Sequence, residues 1–190
     1  MMPWGHAAFG YTLYSLGNRV WTRAPPSAQA VLALLFGTQL PDLVDKPLSW
    51  GLHLFPQGYS VAHSVFVAIP VGLLVLALGV YKNRAALGAA FALGYWSHLV
   101  GDILMAMMEH QRSPFDRVLW PVVTLPPYGH EVSLFDRAFH IIGTFFHSLS
   151  TEKQLLILGI YLAPYFLVFL LWLVDGAPVV AELKRAVVGR

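Results

Sequence analysis

Apolar residues fall into five long runs broken by proline and charge, and the length of each run decides what it can be. Trp4 to Val20 is moderately apolar, has Tyr11, Tyr14 and Trp21 as interface-type aromatics, and closes on Arg19 and Arg23 before Pro25-Pro26. It predicts a partly embedded helix. Ser27 offers an N-cap for a second helix from Ala28 to about Leu40, short for a full span and expected to stop at Pro41, which puts Asp42 and Asp45 just beyond its end. Val61 to Tyr81 is long enough to span, Lys82-Asn83-Arg84 turns the chain, and Ala85 to Met108 returns as the second arm of a hairpin. Glu109 to Thr151 holds Pro114, Pro121 and Pro126-Pro127 and reads as a loop region outside the hydrocarbon. Within it, Phe135, Phe139, Ile142 and Phe146 recur at helical spacing, so 134–149 is expected as an amphipathic helix on the interface. Gln154 to Val174 carries no charge for 21 residues and is expected to span.

The expected fold is therefore all-α: a polytopic helical membrane protein of about four to five membrane-embedded helices plus one interfacial helix, forming a single domain over 1–190. Residues 1–108 form the polar-residue helices, 109–152 the outer loop region and 154–174 the C-terminal membrane helix. Composition agrees, with 57% hydrophobic residues, 12% charged residues and a mean hydropathy of +0.61. The net charge of +2 comes from scattered Lys and Arg, so no basic run marks nucleic acid as a structural partner; membrane lipids are the expected surroundings. The chain start lacks a basic n-region, so no cleaved signal peptide is expected and His6 stays in the mature chain.

Basic flanks predict orientation. With Arg19, Arg23, Lys82, Arg84, Lys184, Arg185 and Arg190 cytoplasmic, the helices alternate, and the five other basic residues lie in outer loops. A multi-pass protein of the plasma membrane results.

One pair of residues stands out against the apolar background. His98 and Asp102 lie four apart in Ala85 to Met108, on one face of a helix, where unpaired charge is costly unless it faces protein or metal. They lie roughly 21 and 27 Å from Arg84 along the helix, near the outer, non-cytoplasmic face. His63 is roughly 28 Å from Lys82 and His6 roughly 25 Å from Arg23 by the same measure, while Asp42 and Asp45 follow an outward-running helix. Six side chains thus reach one depth. Taken singly, each has an ordinary role: His6 or His63 as a hydrogen-bonded core residue, the Asp residues as solvated carboxylates, His98 and Asp102 as a salt bridge. The remaining histidines of the outer region, His53, His110, His130, His140 and His147, lack that constraint, with His110 and His130 as reserves.

Cysteine is absent, so a metal would be held by His and carboxylate. Such a mixed set suits Zn²⁺, with Mn²⁺ or Fe²⁺ as alternatives, and six ligands leave room for one or two ions. A metal-activated water makes hydrolysis the expected reaction class, since no Gly-rich phosphate loop, G-x-S-x-G elbow or H-E-x-x-H is present.

His6, Leu40-Pro41-Asp42-Leu43-Val44-Asp45, His63-Ser64 and Gly94-Tyr95-Trp96-Ser97-His98-Leu99-Val100-Gly101-Asp102 together resemble the membrane-bound metal-dependent hydrolases, as does Leu119-Trp120-Pro121. That family is in turn similar in ligand order to the zinc-dependent phospholipases C and single-strand nucleases. The resemblance covers about residues 1–125. It implies Asp42, His63, His98 and Asp102 around one metal, with His6 and Asp102 reaching a second.

The expected function is a membrane-embedded hydrolase of a phosphoester, lipid or lipid-linked. Asp45 and Asp102 are its expected catalytic carboxylates, Asp45 as a ligand or general base, and Ser64 and Ser97 are supporting polar groups behind the ligands. The alternatives are a metal transporter or metal-binding membrane protein without hydrolysis, and a buried hydrogen-bond network that holds no metal.

Overall fold

The computed structural model describes residues 1–110, 113–127 and 152–188, together with 136, 139 and 143, and the regular elements it describes are all helical. Helix α1 (Pro3–Thr22) begins on a proline, whose missing N–H costs nothing in a first turn, and ends where Arg23 adopts a left-handed φ of 58°. Ser27 caps α2 (Ala28–Lys46) by accepting the Ala30 N–H at 3.3 Å. A π-helical turn (Pro47–Gly51) and a loop lead to α3 (Val65–Tyr81), and α4 (Ala85–Met108) completes the hairpin. A 3-10 turn (Pro114–Val118), α5 (Glu152–Val174) and the short α6 (Val180–Val188) follow.

The boundaries correct the sequence expectations in two places that matter. Helix α2 does not stop at Pro41 but runs through it to Lys46, so Asp42 and Asp45 stand on its last turns. A proline removes one N–H from a helix, and here tertiary packing outweighs that loss: Pro41 is buried, and Asp45, one turn on, is anchored by three loop N–H groups. Helix α3 starts at Val65 rather than Val61, because Ser64 accepts the Phe66 N–H at 3.2 Å and caps it. His63 is therefore a loop residue, not a helical one. The expected amphipathic helix over 134–149 lies outside the described residues except at 136, 139 and 143, and α6 was not anticipated at all.

The all-α expectation stands, whereas four to five spans do not follow from it. Among the described residues, Ala85–Met108 is the one helix long and apolar enough to cross a membrane; Val65–Tyr81 and Tyr161–Val174 are shorter apolar helices. The last two fall short by length, while α1 and α2 carry His6, Ser15, Thr38 and Asp45, all buried, on their inward faces.

Helix α4 is the hub. Its Gly94 meets Gly37 of α2 at a crossing so close that a Cβ at Gly37 would collide with the Phe91 carbonyl and one at Gly94 with the Leu34 carbonyl. On the opposite side α3 packs antiparallel, with Gly88 against Leu76 and Trp96 across Gly72, where the indole donates to the Ala68 carbonyl at 2.9 Å. Helix α1 lies antiparallel to α4: Tyr14 donates to the Ala86 carbonyl near one end, and His6 stacks on His98 near the other. This arrangement sends the N-terminus of α1, the C-terminus of α2, the start of α3 and the last turns of α4 to one end of the bundle.

Candidate metal centre

That shared end gathers His6, Asp42, Asp45, His63, His98 and Asp102, five of them buried and Asp42 the most open, with 11% of its side chain exposed. Their geometry starts with what the two central imidazoles do with their outward nitrogens. His98 Nδ1 lies 2.7 Å from the Thr38 carbonyl, which can only accept, so that nitrogen carries the proton. His63 Nδ1 lies 2.8 Å from Asp45 Oδ2 and is protonated for the same reason. Each ring then turns its Nε2 inward, and the two Nε2 atoms face each other at 3.1 Å. At that distance the two nitrogens would be joined by one shared proton or by a metal ion between them. This is the arrangement expected of imidazoles oriented by hydrogen bonds behind a metal site.

Two carboxylate oxygens complete the figure. Asp42 Oδ1 lies 3.5 Å from His63 Nε2 and 3.7 Å from His98 Nε2; Asp102 Oδ2 lies 3.6 and 3.4 Å from the same two atoms. A tetrahedral ion with bonds of about 2.0–2.1 Å holds its donors about 3.3–3.4 Å apart, and the contacts of each oxygen with the two nitrogens lie close to that spacing; the donor sets that close on one position are Asp42, His63 and His98, and His6, His98 and Asp102. The close crossing of α2 and α4 is what makes the figure possible, since it brings the Thr38 carbonyl to His98 and Asp42 opposite Asp102.

Next to this set lies a partial second one. His6, His98 and Asp102 can also share an ion, as can Asp42, His63 and His98. The His6 ring stacks on His98 at 3.6 Å between centroids, its Nε2 is 3.4 Å from Asp102 Oδ1, and neither of its ring nitrogens makes a hydrogen bond despite full burial. Asp102 thus presents one oxygen to each position, and its Oδ1 also accepts from the Met1 nitrogen at 2.8 Å.

Asp45 departs from the expected ligand role. One of its oxygens takes His63 Nδ1 and the N–H groups of Ser60 and His63, the other takes the N–H of Ala62, and the carboxylate sits behind His63 rather than in the centre. Ser64 caps α3 and donates to the Trp120 carbonyl, so it fixes the residue after His63, while Ser97 donates to the Gly94 carbonyl within its own helix. Among the reserve histidines, His110 follows the end of α4 with a φ of 54°, and His130 lies outside the described residues.

Two neighbours of the centre and one distant clasp escaped the sequence reading. Lys46 is hydrogen-bonded to Asp42 Oδ2, four residues before it on α2, and was legible only as a loop cation until the helix was seen to reach it. Arg117 lies over the Tyr59 ring at 5.2 Å, and Tyr59 in turn meets His63 edge-on at 4.9 Å. At the opposite end of the bundle, buried Asp175 accepts from Tyr11 and Ser15 at 2.6 Å each and from Arg19 Nε at 2.8 Å. The spacing of Tyr11, Ser15 and Arg19, one turn apart on α1, was the available signal for that clasp.

Compared with known proteins, the chain matches over residues 1–176 a family described as YdjM inner membrane protein. No curated protein and no solved structure matches it.

Proposed function

The chain belongs to the YdjM inner membrane protein family, and from that premise we propose that it is a multi-pass, metal-dependent membrane hydrolase whose centre faces the non-cytoplasmic side. The observation that carries the metal is the pair of Nε2 atoms 3.1 Å apart whose rings are fixed from behind by Thr38 and Asp45. His63, His98, Asp42 and Asp102 would hold one divalent ion, zinc by donor type and spacing, with manganese or iron as alternatives. Such an ion supplies an acidified water and neutralises charge on a phosphoryl or carbonyl oxygen.

The chain's own residues account for the rest of the chemistry. Asp45 keeps His63 in the tautomer that exposes Nε2, and the Thr38 carbonyl does the same for His98. Asp102 holds its second oxygen toward His6, whose buried, unbonded nitrogens can take a proton from that side or bind a second ion. Asp42, the most exposed donor, is the one able to yield its place to an entering oxygen. A phosphoester substrate, lipid or lipid-linked, suits an anion-attracting centre reached from the membrane interface.

One observation favours a second reading. Asp42 comes from α2 and His98 from α4, so an ion shared by them and His63 could brace the two helices without chemistry. Metal analysis of detergent-purified protein, paired with turnover of a chromogenic phosphodiester, separates the two. Hydrolysis predicts stoichiometric metal, turnover that dies with EDTA, and loss of both in His98→Ala. Metal without turnover would leave the brace, metal uptake into proteoliposomes would leave transport, and full metal content in His98→Ala would sink the ligand assignment.

A further inference from the structure

Among the six gathered side chains the most exposed is Asp42, and a cation stands beside it. Of the six gathered side chains, His6, Asp45, His63, His98 and Asp102 are at most 2% exposed, whereas Asp42 is 11% exposed and the Lys46 side chain beside it 26%. Lys46 Nζ is hydrogen-bonded to the Asp42 oxygen that faces away from the imidazoles, so it stands one carboxylate's width from the donor set. Its stem is steadied by Trp50, whose ring the ammonium approaches to 5.4 Å.

For a site that only binds a metal, this placement is unfavourable. An ammonium in contact with a ligand carboxylate draws off its charge and repels the incoming ion, and at such short range inside protein that repulsion is large. The balance changes once an anion is included. With neutral imidazoles, the carboxylates of Asp42, Asp45 and Asp102 carry three negative charges, against which stand one divalent ion, the Met1 ammonium 2.8 Å from Asp102 and Lys46 beside Asp42, so the occupied centre is net positive by one charge. Without Lys46 the occupied centre is net neutral, and the surplus positive charge that would favour a phosphoryl group on the Asp42 side is gone.

We infer that Lys46 is the anion-recognising residue of the centre, releasing Asp42 when the ion binds and donating to a phosphoryl oxygen of the substrate. This rests on the hydrolase reading and names what selects its substrate class. The other cation near the centre is Arg117, which is 3.1 Å from the Glu109 carboxylate and 3.4 Å from the backbone carbonyl of Asp102 rather than on a donor carboxylate.

The test titrates zinc-loaded protein with inorganic phosphate by calorimetry, and separately with nanodiscs of phosphatidylcholine with and without phosphatidate. Zinc content is measured in the same samples. In Lys46→Gln, zinc stays stoichiometric while phosphate or phosphatidate binding weakens by about tenfold or more, the loss expected for one charge-assisted hydrogen bond; Lys46→Arg restores most of it. Lys46-dependent binding of phosphatidate identifies a lipid headgroup as the source, and of inorganic phosphate alone a soluble ester. Stoichiometric zinc with binding unchanged in Lys46→Gln, or with no binding of either probe by the wild type, overturns the inference and leaves the metal reading intact. A wild type that takes up no zinc overturns both.

Discussion

Asp45 illustrates how a residue can matter to a site without touching what the site holds. Its carboxylate is spent on His63 Nδ1 and on three loop N–H groups, so it sets both the tautomer of the imidazole and the bend that presents it. Asp45→Asn keeps the shape but offers His63 a weaker, ambiguous partner. Zinc affinity is expected to fall about 10- to 100-fold, measured by competition with a chromogenic chelator, with the fold retained. An unchanged affinity would mean that Asp45 serves only the loop. The ligand spacing His98-x-x-x-Asp102 was legible in the sequence because a helix converts four residues into one face. The role of Asp45 was not, because a loop that folds back on its own helix end leaves no periodic trace.

Helix packing supplies the distances on which the centre depends. Gly37 and Gly94 let α2 and α4 touch backbone to backbone, and the Thr38 carbonyl reaches His98 only through that contact. Gly94→Ala should push the helices apart, costing about 1–3 kcal/mol in thermal unfolding and lowering zinc content with it. Loss of stability without loss of zinc would uncouple the crossing from the site. The Asp175 clasp makes the opposite prediction. Asp175→Ala strands Arg19 and two hydroxyls of α1 and should cost about 2 kcal/mol, reduced from the buried-pair value because Arg19 is partly exposed. It lies at the far end of α1 from His6, so zinc stoichiometry in that variant is expected to match the wild type.

Taken together, the bundle has an inside richer in polar groups than its outside. Phe66, Ile69, Leu73, Leu74 and Leu78 of α3 and Phe166, Leu167, Leu170 and Leu173 of α5 are exposed, as suits a protein bathed in hydrocarbon. Carbonate washing of membranes is expected to leave the chain in the pellet, and detergent to release it; release by carbonate would contradict integral insertion. Because the donors come from α2, the loop before α3 and α4, a bound ion ties three segments together. Stripping it with EDTA should lower the melting temperature of the wild type and leave that of His98→Ala unmoved.

The sequence by itself determined the helical class, the apolar hairpin of α3 and α4, and the residues that meet at one end, since hydrophobic run length and helical rise are local properties that add along the chain. Counting residues from the basic flanks put His6, His63, His98 and Asp102 at a common depth, and the exit of the second helix added Asp42 and Asp45. Depth is one coordinate of three. Which nitrogen of each histidine faces inward, which Asp stands behind another ligand, that α2 continues through Pro41 and that Lys46 therefore pairs with Asp42 were decided by the Gly37–Gly94 crossing and the fold-back of 60–64 onto Asp45. These depend on contacts between segments far apart in the chain, where packing and hydrogen-bond satisfaction outweigh the local signal of a proline or an apolar run.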